Sequence, residues 1–256
     1  MDRSSNDLGL VCAIAVMAKA PQAGRSKTRL CPPLRAGQAA ALSAAFLRDM
    51  TGKIAVAART VPVQGFVAHA DAGSEPLFEG LLAAGTGFIL ADGVTDAVPA
   101  AIGGLGRCLL QAIQAMLDQG FGAACVLNSD SPTLPAAVLE QTARALLAPG
   151  DRVVLGPAED GGYYLLGVKA AHAALFAEIA WSTDGVAAAT RARARGLGLE
   201  IVEMPLWYDV DDRASLDRLI ADVGGDGPDS GEAPATATAL RRMGFPATQG
   251  GPGGAG

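Results

Sequence analysis

The sequence predicts an α/β protein built on a doubly wound, mostly parallel sheet. Three observations carry that prediction. Short apolar runs recur along the chain, segments with helical spacing separate them, and half of the 256 residues are hydrophobic, enough for a sizeable core. Alternating strands and helices pack as parallel sheets, and ligands then bind beyond the carboxyl ends of the strands.

The elements follow in order. Leu10–Ala18 reads as a buried first strand. The apolar run of about eleven residues in LGLVCAIAVMAKA, of which it is part, is too short to span a bilayer, and the leader MDRSSND is not cationic as a signal peptide requires. Ala36–Met50 spaces Ala40, Leu42, Ala45, Phe46 and Leu47 as a helix does. Val61–Ala68 reads as a strand, Ser74 as the cap of a short helix through Leu82, and Phe88–Leu90 as a brief strand. Leu105–Gln119 puts Leu105, Leu109, Ile113, Met116 and Leu117 on one helical face. Then come strand Ala123–Leu127, helix Pro135–Leu147, and strands Val153–Leu155 and Tyr163–Val168 on either side of PAEDGG. A helix over Asp184–Arg195 is capped by Ser182–Thr183, and Leu199–Val202 and Asp212–Asp222 are the last strand and helix. Residues 9–223 make one domain, and Gly224–Gly256, rich in Gly, Pro, Ala and Thr, is expected to be disordered apart from at most a short helix near Ala239–Met243.

A net charge of -6 argues against binding nucleic acid, which needs a broad basic face. No other segment approaches membrane length, so no membrane partner and a cytoplasmic location are expected. The four cysteines show no C-x-x-C spacing, and Cys12 and Cys125 read as buried free thiols.

Against the acidic background, AKAPQAGRSKTRL at Ala18–Leu30 gathers Lys19, Arg25, Lys27 and Arg29 directly after the first strand. Gly24 would let backbone amides approach a ligand, and in extended chain Arg25, Lys27 and Arg29 would point the same way. Converging cations beside amides suit a polyphosphate; the plainer alternative is a solvated basic loop. The spacing is not that of a Walker loop.

NSDSPTLP at Asn128–Pro135 puts Asp130 at another strand tip, where Mg²⁺ is held by one or two carboxylates plus phosphate oxygens; a turn or helix cap is the other reading. In YDVDD, Asp209 and Asp211 lie two apart and face one way in extended chain, so either could complete a metal shell, with Asp212 capping the next helix. GPAEDGGYYLLG offers Glu159, Asp160, Gly161 and Gly162 to an acceptor, or forms only a hairpin turn. Trp181, Ser182 and Thr183 could cover the pocket or merely start a helix. The two histidines, His69 and His172, have no plausible nucleophile as a sequence neighbour, which disfavours Ser-His-Asp catalysis and a His-rich zinc site.

Taken in chain order over Val11–Ile220, with YDVDD last, these five motifs resemble the DUF2064 or selenodomain-associated transferase 1 family of glycosyltransferase-A-like proteins in the nucleotide-diphospho-sugar transferase superfamily. The KTRL loop is similar to that of 2-phospho-L-lactate guanylyltransferase. The resemblance implies a three-layer sandwich around a mixed seven-stranded or similar sheet, an NTP or nucleotide-sugar donor, a small-molecule acceptor, and Mg²⁺ or Mn²⁺. By position, Lys27 and Arg29 would grip donor phosphates and Asp130 with Asp209 or Asp211 would hold the metal. The chain departs from the pattern at GGLGRCLL, where a G-D-L-G-E-R pattern is expected, and at Asn128, where glycine is common.

Two chemistries follow, with Lys27 and Asp130 catalytic in both. One is nucleotidyl transfer from an NTP to a phosphorylated or otherwise anionic acceptor, which needs no general base. The other is glycosyl transfer to a hydroxyl, with Glu159 or Asp160 as base. A nucleotide-sensing protein on a degenerate transferase fold would need a broken metal site.

Overall fold

The computed structural model describes residues 8–224 and 231–245. Seven strands, β1 (Cys12–Ala18), β2 (Val63–His69), β3 (Gly87–Leu90), β4 (Ala123–Asn128), β5 (Arg152–Pro157), β6 (Tyr163–Val168) and β7 (Glu200–Glu203), form one sheet in the order β3-β2-β1-β4-β6-β5-β7. β1 pairs in parallel with β2 and β4, β2 with β3, and β5 with β7. β6 runs antiparallel to both β4 and β5, because the tight Ala158–Gly162 bend sends it straight back beside β5. The sheet is therefore mixed, as the family resemblance implied.

Strand alternation sorts the two helix layers. Along β1, Ala13 and Ala15 face a core with α2 (Gly104–Asp118) and α4 (Val186–Gly196), where Leu109, Leu110, Ile113 and Met116 are buried. Cys12, Ile14 and Val16 face the opposite core with α1 (Ala36–Ala57) and α3 (Ala136–Leu147). Cys12 and Cys125 are buried free thiols there. α1 runs seven residues beyond the predicted Met50, because Thr51, Lys53, Ile54 and Ala57 continue its buried face. The helix expected after Ser74 is only a 3-10 turn at Glu75–Phe78, and α4 starts at Val186, capped by Gly185 rather than Ser182 or Thr183.

A third core corrects the expectation of a disordered C-terminal region. α5 (Arg213–Gly224) and α6 (Pro234–Arg242) pack with the front half of α1 around Leu42, Phe46, Leu216, Leu219, Ala237 and Leu240. Asp49, buried on α1, accepts the backbone N–H groups of Ala235 and Thr236 at 2.9 and 2.8 Å and the Thr236 hydroxyl at 2.6 Å. A carboxylate at the positive end of a helix satisfies donors that have no partner inside it. Lys53, one turn further on, donates to the Glu232 carbonyl and pairs with its carboxylate at 3.7 Å. Residues 225–230 and 246–256, the rest of the expected tail, lie outside the described residues. Among the described residues no helix is long and apolar enough to cross a membrane.

Candidate active site

The chain leaves β1 for β2 and β3 on one side, then returns to β4 on the other, so strand order reverses between β1 and β4. Crevices for ligands open at such reversals, outside the carboxyl ends of the strands. The basic loop follows β1 and Asn128–Pro135 follows β4, and both border this crevice. A cavity of about 570 Å³ lies there, lined by Lys19, Arg25, Lys27 and Arg29 together with Ser129, Asp130 and Asp211. Leu105 and Cys108 of α2 form part of its wall.

The loop brings its cations together differently from the extended arrangement predicted. Gly24, at φ +77, sits in the left-handed region that glycine enters without penalty, and the Arg25 and Ser26 amides both bond back to the Gln22 carbonyl. Those amides are spent inside the turn, and Gly24 does not line the cavity. Lys27 is itself left-handed, at φ 49 and ψ 41, so its side chain diverges from those of Arg25 and Arg29.

Lys27 is the centre of the site. Its Nζ lies 2.8 Å from Asp130 Oδ1 and 2.8 Å from Asp211 Oδ1, and donates to the Val210 carbonyl at 2.8 Å. The Phe46 ring lies on another side of it, with its centroid 5.7 Å away. Only 8% of the side chain is exposed. Burial favours a neutral amine, but the two carboxylates outweigh it and hold the ammonium above the usual lysine range. The Val210 N–H bonds to the Asp130 carbonyl at 2.9 Å, which clips the YDVDD segment to the β4 tip and seats Asp211 beside Asp130.

Asp209 takes a separate place. Its Oδ1 accepts the Asn128 amide and the Ser131 hydroxyl, each at 2.6 Å. Burial, with added repulsion from Asp130 and Asp160, pushes its carboxyl up to about 6. Among the described residues no group of three His, Cys, Asp or Glu side chains is placed to hold a metal ion. Two carboxylates and a carbonyl already surround a cationic nitrogen, however, and this all-oxygen set fits Mg²⁺ or Mn²⁺ with phosphate oxygens completing the shell. Asp130 and Asp211 fit that role; Asp209, with its Oδ1 engaged twice, is set back from it. Asp212 caps α5 through the Ser215 N–H at 2.8 Å, as expected.

A second cavity, about 480 Å³, adjoins at Arg29 and Asp211 and is lined also by Glu159, Asp160, Asp209, Asp212 and Arg218. Arg218 stacks 3.7 Å over Tyr208 and donates to both Glu159 oxygens at 3.0 and 2.8 Å. Glu159 and Asp160 thus both line this second cavity. Gly161 and Gly162 do not line it: a Cβ on Gly161 would fall 2.0 Å from the Asp184 carbonyl, so this glycine is a packing requirement. Trp181, Ser182 and Thr183 line neither cavity. Trp181 rests on Gly106 and edge-on to Tyr163, and Thr183 bonds to the Ala180 carbonyl.

Three residues escaped sequence reasoning. Arg218 could have been found from its place four residues before Asp222, a charge pair 3.8 Å long on α5. Arg107, in the GGLGRCLL departure, donates to the carbonyls of Gly93 (2.5 Å), Thr95, Val98 (2.9 Å) and Pro99 (3.1 Å), fastening the segment after β3. Ser74 corrects the reading of His69: its hydroxyl lies 3.1 Å from His69 Nδ1, with Glu75 3.4 Å from Nε2. Ser74 and His69 are both buried and line neither cavity, so the cluster ties down a loop.

Sheet order and crevice together define a glycosyltransferase-A or nucleotidyltransferase-like α/β fold. The chain belongs to the DUF2064 family, "Uncharacterized protein conserved in bacteria", whose sequence profile matches residues 54–183, just over half of it. A crystal structure from Desulfovibrio desulfuricans G20, provisionally described as a nucleotide-diphospho-sugar transferase, is 25% identical, with 91% of this chain and 95% of that one covered and a TM-score of 0.77. A cytidylyltransferase from Leptospira borgpetersenii serovar Hardjo-bovis is 10% identical, with 94% and 98% covered and a TM-score of 0.52. Glucosyl-3-phosphoglycerate synthase from Mycobacterium tuberculosis, solved with Mn²⁺, UDP and glucosyl-3-phosphoglycerate, is 14% identical, with 93% and 81% covered and a TM-score of 0.50. The last two likenesses concern the fold alone. No curated protein matches the sequence.

Proposed function

We propose that this protein is a metal-dependent transferase with a nucleotide donor, joining an NMP from an NTP to a small phosphorylated or otherwise anionic acceptor and releasing pyrophosphate. The observation that carries this reading is the donor-sized cavity at the strand-order reversal, lined by four cationic side chains together with Asp130 and Asp211. Lys19, Arg25 and Arg29 would bind the polyphosphate, whose charge exceeds that of a sugar diphosphate. Asp130 and Asp211 would hold Mg²⁺ or Mn²⁺, which neutralises and orients phosphate oxygens when bound. An anionic acceptor is already a nucleophile, so positioning and charge neutralisation suffice.

One observation favours a second reading, glycosyl transfer from a nucleoside diphosphate sugar. The adjoining cavity has five carboxylates against two guanidinium groups, a lining that suits a neutral hydroxyl acceptor better than an anion. The exposed Asp160 would then serve as base, since Glu159 is engaged by Arg218. Assays for released pyrophosphate and for released nucleoside diphosphate, run on a panel of NTPs and nucleotide sugars with Mg²⁺, separate the two. Pyrophosphate supports the first reading and nucleoside diphosphate the second; neither product from any donor contradicts both.

A further inference from the structure

The Lys27 ammonium is surrounded by three oxygens at 2.8 Å: it donates to Asp211 Oδ1 and to the Val210 carbonyl, and it is ion-paired with Asp130 Oδ1. Another side of it is closed by the Phe46 ring. In this arrangement Lys27 has nothing left to offer a phosphate, and the carboxylate pair has its charge balanced from within. A divalent ion entering between the same two oxygens would meet a unit positive charge at contact distance in a half-buried site, where repulsion is weakly screened. Lys27 and a metal ion therefore compete for one position.

We propose that Lys27 is a built-in cation that closes the Asp130–Asp211 pair to divalent metal until a nucleotide polyphosphate draws its ammonium away. The proposal rests on the metal and nucleotide reading given above. The geometry supplies both ends of the exchange. Lys27 borders the same cavity as Lys19, Arg25 and Arg29, so a polyphosphate seated there offers it new oxygens. The vacated oxygens of Asp130, Asp211 and Val210 form a hard-oxygen set for Mg²⁺ or Mn²⁺. Metal and nucleotide would then load as a unit, with Lys27 passing to the phosphates and metal taking the place it leaves.

The test is Mn²⁺ binding to the full chain, followed by electron paramagnetic resonance and by water-proton relaxation. Wild type is measured alone, with CTP and with UDP, and Lys27→Met is measured without nucleotide. Lys27→Met should bind Mn²⁺ on the order of tenfold or more tighter than nucleotide-free wild type, since one opposing charge is gone. Adding Asp211→Asn to Lys27→Met should remove that gain. Equal Mn²⁺ affinity for wild type and Lys27→Met without nucleotide overturns the gate and leaves the transferase reading standing. No Mn²⁺ on either protein, with or without CTP or UDP, overturns the metal reading and the gate with it. If Lys27→Met does not fold, wild type decides: uptake only with CTP or UDP supports the gate, and equal uptake without them overturns it.

Discussion

Lys27 Nζ and Asp211 Oδ1 lie 2.8 Å apart although 184 residues separate them in sequence. The contact joins the loop after β1 to the segment that leads into α5, so that the site is closed by parts of the chain far apart in sequence.

Asp130→Asn keeps a polar group at the β4 tip but removes one of the two charges that balance Lys27. Turnover should fall by about two orders of magnitude or more, as for loss of a charge-stabilising group, while the melting temperature moves little. Product-release assays beside thermal denaturation read both. Full activity with ordinary metal dependence would place the metal elsewhere.

Asp49→Ala should undock α6. The substitution removes three hydrogen bonds at the α6 N-terminus and leaves Lys53 buried without its nearest carboxylate on α1. We expect a loss of about 2–4 kcal/mol, the scale for breaking a buried polar cluster on one side. Truncation just before Gly231 should cost stability in the same range, because α6 covers Phe46 and Leu42. Urea unfolding of both variants measures it; an unchanged midpoint would mean that α6 contributes no stability.

Gly161→Ala distinguishes a packing glycine from an acceptor-contacting one. At φ +86, with Asp184 backbone 2.0 Å from the position of an added Cβ, alanine there forces the turn to move. Stability should drop by about 2 kcal/mol or more. A normal melting temperature with a raised acceptor KM would contradict this assignment.

Asp209 gives a pH signature in the metal-free protein. Its carboxyl is held at about 6, above the ordinary aspartate value of 3.8, so the native state binds this proton more tightly than the unfolded chain. The stability this provides is fully present below about pH 4 and is lost as pH rises through about 6. Wild type should therefore lose stability relative to Asp209→Asn between those limits, in urea titrations run without metal. Parallel pH profiles for the two proteins would show that Asp209 titrates normally.

The layers and the site's main components were legible in the sequence, for physical reasons. Buried strands such as β1 and β4 show as unbroken apolar runs, and α2 shows as a one-faced helix, because burial acts directly on local pattern. The basic loop stood out because its charge clusters against an acidic chain, and the YDVDD carboxylates because Asp209 and Asp211 lie two apart. What local pattern hides is pairing at a distance. Nothing in Arg25–Arg29 announces that Lys27 turns left-handed and away from its neighbours toward Asp211. α6 is short and rich in Ala and Thr, and its N-terminus is bonded to Asp49, 186 residues before Ala235. A trace did exist: Asp49 and Lys53 are charges four apart on the buried face of α1, and such a pair requires a partner. Gly161 and Trp181 read as ligand groups because packing glycines and aromatics look the same in sequence as binding ones.

The central claim is that the β1–β4 crevice takes a nucleotide together with a divalent metal. A thermal-shift panel of the four NTPs and common nucleotide sugars, each with and without Mg²⁺, tests it most directly, because a ligand bound only by the native state raises the melting temperature by mass action. At least one nucleotide should stabilise the wild-type protein in a Mg²⁺-dependent way, and Asp130→Asn should abolish the shift. No shift with any nucleotide, or an equal shift in Asp130→Asn, would contradict the claim.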